Sequence, residues 1–246
     1  MERLYDDLAW LWPLLSPHEQ YRKDAQLYAA WLRNAAGGRV ASVLELGCGG
    51  GHVSHHLPRE WALTLVDRAP GMLDVSRRLN PHAEHVEADF TTMRLGRTFD
   101  AVLLHDAVMY CASREALAAA FQTAAAHLRP GGGFVVLPDV VKEDFVEMST
   151  GGGAAEGSQA ARLLEWHWDP DPSDDTYQID MAILYRDGAE MKAAHDRHTL
   201  GLYPRNLYVK LLREAGFTPI PPEPWDTRDA GAVFLATRTG ADAAPG

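Results

Sequence analysis

Positive charge, cysteine and long apolar runs are all scarce in this chain. Lys and Arg number 23 against 34 Asp and Glu, a formal charge of −11. An acidic surface is not drawn to a phosphate backbone, so nucleic acid is not expected as a partner. The two cysteines, Cys48 and Cys111, make no disulfide framework and stand at no metal-ligand spacing, so neither a stapled secreted scaffold nor a metal site is expected. A reduced compartment suits them. No stretch approaches the length that crosses a bilayer. Met1-Glu2-Arg3-Leu4-Tyr5-Asp6-Asp7 carries charge where a secretory leader is apolar, and a cytoplasmic protein without membrane contact is the expectation. Internal repeats are also missing.

What is there is a chain of 246 residues, 46% hydrophobic and 23% charged. That suits one large domain, or a core domain carrying an insertion, with a sizeable core. The most informative run is Val43-Leu44-Glu45-Leu46-Gly47-Cys48-Gly49-Gly50-Gly51-His52. It reads as a buried strand ending in a glycine turn that opens into a helix. The glycines let the backbone reach positive φ and let a ligand lie close against it. A dinucleotide fingerprint needs Gly-x-Gly-x-x-Gly, and its third glycine would fall at His52.

Around this run the pattern implies α/β architecture. Residues 1–36 read as helical, interrupted at Pro13 and Pro17. Short apolar strands then alternate with helices: strands at 40–46, 61–66, 83–87, 99–104 and 133–137, helices at 51–57, 70–79 and 113–128. Asn80-Pro81 stops the second of these helices; Ser113 caps the third and Arg129-Pro130-Gly131 stops it. Such alternation predicts a doubly wound, mostly parallel sheet covered on both faces. Ser149–Ser158 reads as a small, flexible stretch, and its part at 151–157 as a lid over the site. Three antiparallel strands are expected behind it, at 162–168, 177–185 and 191–199, the last two joined by a tight turn at Asp187-Gly188. A helix at 204–215 ends at Gly216, and a strand pair at 217–220 and 232–236 flanks a proline-rich loop. The division expected is a helical cap over 1–39, an α/β core over 40–147 and 201–239, an inserted antiparallel sheet over 148–200 on the acceptor side, and a disordered tail over 240–246.

Chemistry-bearing residues cluster at strand ends. Asp67 closes the second strand, where an acid accepts hydrogen bonds from ribose hydroxyls. Asp89-Phe90 follows the third strand, where a carboxylate suits an exocyclic amine and the Phe90 N–H a ring nitrogen. His105 and Asp106 leave the fourth strand beside Gly47, with Tyr110 just beyond. Met72 lies either on an adenine face or in the core. The aromatic amino-terminal stretch (Tyr5, Trp10, Trp12, Tyr21, Tyr28, Trp31) is either core or the roof of a cofactor pocket. Trp166-His167-Trp168, preceded by Glu165, is either an acceptor wall or a packed or subunit-contact face.

These stations stand in a familiar order. Glu45–Gly51, Asp67, Asp89-Phe90, the strand at 99–104 and Leu128-Arg129-Pro130-Gly131-Gly132 resemble the class I S-adenosylmethionine (SAM)-dependent methyltransferases over about residues 40–138. A closer resemblance takes in Tyr5-Asp6-Asp7-Leu8-Ala9, Tyr21, Asn80-Pro81, Gly96–Val102, His198-Thr199-Leu200 and Phe217. It is to the N,N-dimethyltransferases of nucleotide-linked amino sugars. Where that group carries a Ser-rich segment ending in His, this chain has Asp106-Ala107-Val108-Met109-Tyr110-Cys111. The resemblance implies a Rossmann-like methyltransferase fold and SAM as cofactor. It implies methylation of a small-molecule acceptor, an amine or hydroxyl of a secondary metabolite, and a homodimer through the inserted sheet. Donor contacts are then expected from Tyr5, Tyr21, Glu45, Gly47, Cys48, Gly49, Asp67, Arg68, Met72, Asp89, Phe90 and His105, and catalytic contacts from Asp106, Tyr110 and His167. The alternatives are a SAM-binding protein that runs a non-methylating reaction such as a cyclisation, and a non-catalytic binding protein.

Overall fold

The computed structural model describes residues 2–221 and 232–240. Near the amino terminus the expected helices are fragments. Single 3-10 turns at Arg3–Tyr5 and Ala9–Leu11 lead into the short helix α1 (Trp12–Leu15), then a 3-10 turn at His18–Tyr21 and the full helix α2 (Arg22–Ala35). Pro13 and Pro17 break the run, each lacking the N–H that would continue it.

The alternating region follows as β1 (Ser42–Leu46), β2 (Ala62–Asp67), α3 (Pro70–Leu79), β3 (Glu84–Glu87), β4 (Phe99–His105), α4 (Arg114–Ala126) and β5 (Leu128–Leu137). Proline at its first position opens α3, where the missing N–H costs nothing. Ser113 Oγ accepts the Ala116 N–H and caps α4. Arg129-Pro130-Gly131 differs from expectation: α4 has already ended at Ala126, and these residues start β5, across from a register shift at Phe99–Ala101.

The helix expected after the glycine turn is only a 3-10 turn, Ser54–His56. Pro58 closes the stretch after one turn of backbone hydrogen bonds, His55 N–H to Gly51 at 3.0 Å and His56 N–H to Val53 at 2.9 Å, and side chains add to them. Asn80 Nδ2 donates to the Gly51 carbonyl at 2.8 Å, and Ser54 Oγ donates to Glu45.

Beyond β5 come β6 (Met148–Gly152), β7 (Ala155–Glu156), β8 (Gln159–Trp168), β9 (Thr176–Asp187), β10 (Glu190–Gly201), α5 (Arg205–Glu214), β11 (Phe217–Ile220) and β12 (Phe234–Arg238). The glycine-rich stretch therefore is not a free lid. β6 and β7 both pair antiparallel with β8, because residues without bulky side chains still offer a full set of N–H and C=O groups to an edge strand. The proline-rich loop at 222–231 and the tail at 241–246 lie outside the described residues.

One sheet runs β11-β12-β5-β4-β1-β2-β3, parallel except that β12 is antiparallel to both its neighbours. The second sheet, β10-β9-β8-β6, is antiparallel. In the first sheet, alternate residues feed opposite faces. Leu44, Leu46, Val102, Leu104, Phe134 and Val136 pack under α4 and α5. Val43, Leu65, Ala101, Leu103 and Val135 pack under α2 and α3. The strand order reverses between β1 and β4, so the ligand crevice of such a sheet opens at their carboxyl ends. Among the described residues no helix is long and apolar enough to cross a membrane.

Candidate active site

A cavity of about 480 Å³ lies at that reversal point, within the size range of ligand pockets. Its floor is the turn after β1. Gly47 and Gly51 both have φ of +70°, and a Cβ on Gly47 would overlap Ala107 while one on Gly51 would overlap Ser76 and Asn80. The turn is thus bare where a ligand must approach and tight where it meets its neighbours.

The donor half is built around β2 and β3. Asp67 Oδ2 accepts the Gly49 N–H at 2.8 Å and Oδ1 the Ala69 N–H at 2.9 Å. Each oxygen keeps a lone pair for a further donor. Burial lifts the Asp67 pKa, and those two N–H groups offset only part of it. Asp89 forms a turn with Thr91 and faces the cavity beside Phe90. Met72 and Cys48 supply buried apolar walls. Arg68 lines the rim, paired with Glu2 at 2.9 Å. Paired acceptor lone pairs at one strand end, a second carboxylate at the next and an apolar slot between them fit a nucleoside with a cationic tail.

The aromatic amino-terminal stretch divides between the two roles. Tyr5, Trp12 and Tyr21 line the cavity, whereas Trp31 is core and Trp10 packs on Tyr185. Tyr21 is fixed by a 2.6 Å hydrogen bond to Ser16.

Between the halves lies a buried charged row. Glu45 is 0% exposed and sits on the face of β1 that otherwise feeds α2. His105 stands opposite on β4, with Nε2 2.9 Å from Glu45 Oε1 and Nδ1 3.1 Å from Asp106 Oδ2. Glu45 is thus a wall behind the turn and its carboxylate is taken by His105 and Ser54. Burial alone would favour a neutral His105 ring, but Asp106 and Glu45 together outweigh it and hold its pKa well above the ordinary value. Asp106 takes φ +47°, a conformation that costs a non-glycine residue about 1–3 kcal/mol and is typical of functional sites. Its side chain is 51% exposed and lines the cavity. Burial would raise its pKa; His105 reverses this and lowers it. The neighbouring Asp139, hydrogen-bonded to Asp106, is pushed well above the carboxylate range by burial and then by Asp106. The two carboxyls are thus pushed in opposite directions, Asp106 toward the charged form and Asp139 toward the neutral one.

The acceptor half comes from the second sheet. Glu165 and His167 on β8 face the cavity, 3.5 Å apart, and Thr150 donates to Glu165 at 2.8 Å. His167 pulls the Glu165 pKa down. Trp166 and Trp168 point to the other side of β8, tied by their indole N–H groups to Glu147 and Asp180. They do not wall the pocket: in a strand, alternate residues take opposite faces, and the face that holds His167 excludes them. Tyr110 lines the cavity, its hydroxyl 2.7 Å from that of Tyr5. Asp139 was not among the expected site residues although it follows β5 by two residues as Asp89 follows β3, a signal the same rule would have caught.

Beside the turn, His18, His52, His55 and His56 pack together, with ring centroids between 4.7 and 6.3 Å from His18. Among the described residues no group of three or more His, Cys, Asp or Glu is arranged to hold a metal ion. His52 is 6% exposed; burial, and then His18, lower its pKa from 6.5 to about 4. In that window the unfolded chain binds a proton that the folded chain refuses. Stability is therefore full above pH 6.5 and falls as pH drops toward 4, by on the order of 3 kcal/mol. Thermal melting should drop across this range in the parent protein, and His52→Gln should flatten that slope. An equal slope in both would contradict the assignment.

Residues 43–132 match the family described as "Methyltransferase domain". Over 204 residues the chain is 26% identical to a dTDP-3-amino-3,6-dideoxy-alpha-D-glucopyranose N,N-dimethyltransferase of Streptomyces fradiae, covering 81% of this chain and 78% of that protein. Among solved structures, DesVI of Streptomyces venezuelae superposes with a TM-score of 0.79 at 23% identity, over 89% of this chain and 92% of that one. CalS10 with bound SAM, an amino pentose methyltransferase of Micromonospora echinaspora, superposes with a TM-score of 0.75 at 25% identity, with the same coverage.

Proposed function

We propose that this chain, a class I SAM-dependent methyltransferase, methylates the amine of a small amino sugar. The observation that carries the reading is the acidic lining of the cavity: Asp106 beside the glycine turn, Asp139 just after β5 and Glu165 on β8, with Tyr110 and His167. An amine arrives as an ammonium, and such a lining attracts it and offers places for its proton. The relatives named for amino-sugar N-methylation support the same acceptor class.

SAM supplies a methyl made electrophilic by its sulfonium. The rest is the protein's work. Asp67 and Asp89 would hold the nucleoside, Gly47–Gly51 would pass beneath it, and Met72 and Phe90 would flank the base, with Tyr5 and Tyr21 as roof. Asp106 and Asp139 orient the ammonium. Holding the acceptor nitrogen in line supplies ~7–11 kcal/mol of the barrier. In this reading residues 1–39 roof the cavity, the core of 40–147 and 201–239 holds the donor, and the inserted sheet of 148–200 holds the acceptor together with Asp106, Tyr110 and Asp139 of the core.

The test is a matched pair of acceptors, an amino sugar nucleotide and its hydroxyl counterpart, assayed by mass with SAM present. Methylation of the amine alone supports the reading; methylation of the hydroxyl alone contradicts it.

The outer face of the second sheet exposes Leu164, Trp166, Leu184 and Met191, with Trp166 at 51%. The register puts them on one side. We assign that patch to contact with a second copy of the chain. Light scattering should give a dimer for the parent protein and a monomer for Trp166→Glu with Leu184→Glu; a monomeric parent would contradict it.

A further inference from the structure

Behind the wall that Tyr5 and Tyr110 present to the cavity runs a chain of hydrogen bonds that the methyl-transfer reading leaves unused. The two phenol oxygens are 2.7 Å apart. Tyr110 Oη is 2.7 Å from Nδ1 of His198, and Nε2 of His198 is 3.2 Å from Oδ2 of Asp196. The same Asp196 oxygen accepts the Leu4 N–H at 2.8 Å. His198 is 1% exposed and Asp196 is buried with it, so the far end of the chain is sealed from solvent. The amino-terminal segment, the turn after β4 and strand β10 each contribute a link.

Donor inventories give this chain a direction. The Asp196 carboxylate has no proton to give, so His198 donates to it from Nε2. Nδ1 then holds a lone pair and can only accept, which makes Tyr110 the donor to it. Tyr110 in turn accepts from Tyr5. With its proton committed inward, Tyr5 shows the cavity lone pairs alone. Each hydroxyl is thus poised to receive a proton from the cavity side and pass its own inward.

We propose that Asp196 and His198 are positioning residues that turn Tyr5 and Tyr110 into a proton-accepting wall for the acceptor amine, with Nδ1 of His198 as the terminus. This rests on the methyl-transfer reading. The acceptor N–H bond breaks toward Tyr5 Oη, the Tyr5 proton moves to Tyr110 Oη, and the Tyr110 proton moves to Nδ1 of His198. Nitrogen keeps its electron pair, free to form the new N–C bond. An imidazolium is left facing the Asp196 carboxylate. No tyrosinate is formed, in keeping with burial, which holds both phenols far above their ordinary pKa. The charged groups facing this end are Asp196 on the same strand, Glu165 on β8 and, near Asp196, Arg3.

His198→Asn keeps an acceptor oxygen near the place of Nδ1 but cannot take a proton. With SAM and an amine acceptor it should lose about 100-fold in kcat and the acid limb of its kcat/KM profile, while SAM affinity stays the same. Adding His198→Asn to Tyr110→Phe should cost nothing further, since the chain is already cut. Heteronuclear NMR of the imidazole nitrogens, without substrate, should find the His198 proton on Nε2 in the parent protein and displaced in Asp196→Asn. A parent-like rate and pH profile in His198→Asn overturns the proposal, as does a proton on Nδ1 in the parent. If His198→Asn fails to fold, the parent NMR spectrum and the Tyr110→Phe pH profile decide alone. A parent protein that methylates no amine would sink the methyl-transfer reading and leave the tautomer result standing.

Discussion

Asp67→Ala is expected to lower affinity for SAM about 100-fold, measured by titration calorimetry. Hydrogen bonds to a charged group are worth about 1.5–3 kcal/mol each. Asp67 has lone pairs free on both oxygens, at the strand end where a ribose diol would lie. Losing both partners, less what water restores, leaves about 3 kcal/mol, which is about two orders of magnitude in affinity. The carboxylate also anchors the Gly49 N–H, so the alanine variant loosens the turn. Asp67→Asn separates the two effects: its amide oxygen can still hold Gly49 while the charge is gone, and its loss should be smaller. An unchanged affinity in Asp67→Ala would mean that the donor does not lie along β2.

The second large effect is on stability. Glu45→Ala removes one partner of the buried Glu45–His105 pair and leaves the imidazole Nε2 and the Ser54 hydroxyl without their shared carboxylate. Breaking such a pair from one side costs about 3–5 kcal/mol. In a chain of this size that lowers the melting temperature by on the order of 10 °C. Glu45→Gln keeps the hydrogen bonds without the charge and should lose less. Glu45→Leu with His105→Leu should recover part of the loss, since neither of the two buried groups is then left without its partner. A melting temperature unmoved by Glu45→Ala would show that the row is solvated rather than closed.

Much of the fold was legible where local chemistry decides it. Helix α3 begins at Pro70 and ends before Asn80-Pro81 as expected, because proline sets one end and Asn-Pro the other. The Ser113 cap, the tight turn at Gly188 and the three long antiparallel strands were equally plain, since each depends on neighbours in sequence. The failures share another cause. The helix after Gly51 shrank to one turn because Pro58, without an N–H, stops it, while Asn80 from the end of α3 ties the Gly51 carbonyl. The segment 148–156 became strands because the edge of β8 was there to receive it. The two tryptophans turned outward because a strand residue's face is set by its sheet. In the site, Asp67, Asp89 and Asp106 were readable as acids at strand ends, and Asp139 would have been by the same rule. The Tyr5–Tyr110–His198–Asp196 chain was not, since its members come from three separate segments.

In the proposed function one cavity joins a donor half on β1–β3 to an acidic half that takes an amine. The most direct measurement is mass spectrometry of amino sugar nucleotides incubated with the protein and SAM. The amine should gain methyl groups, with one demethylated cofactor released for each. SAM binding without methylation of any amine would contradict it.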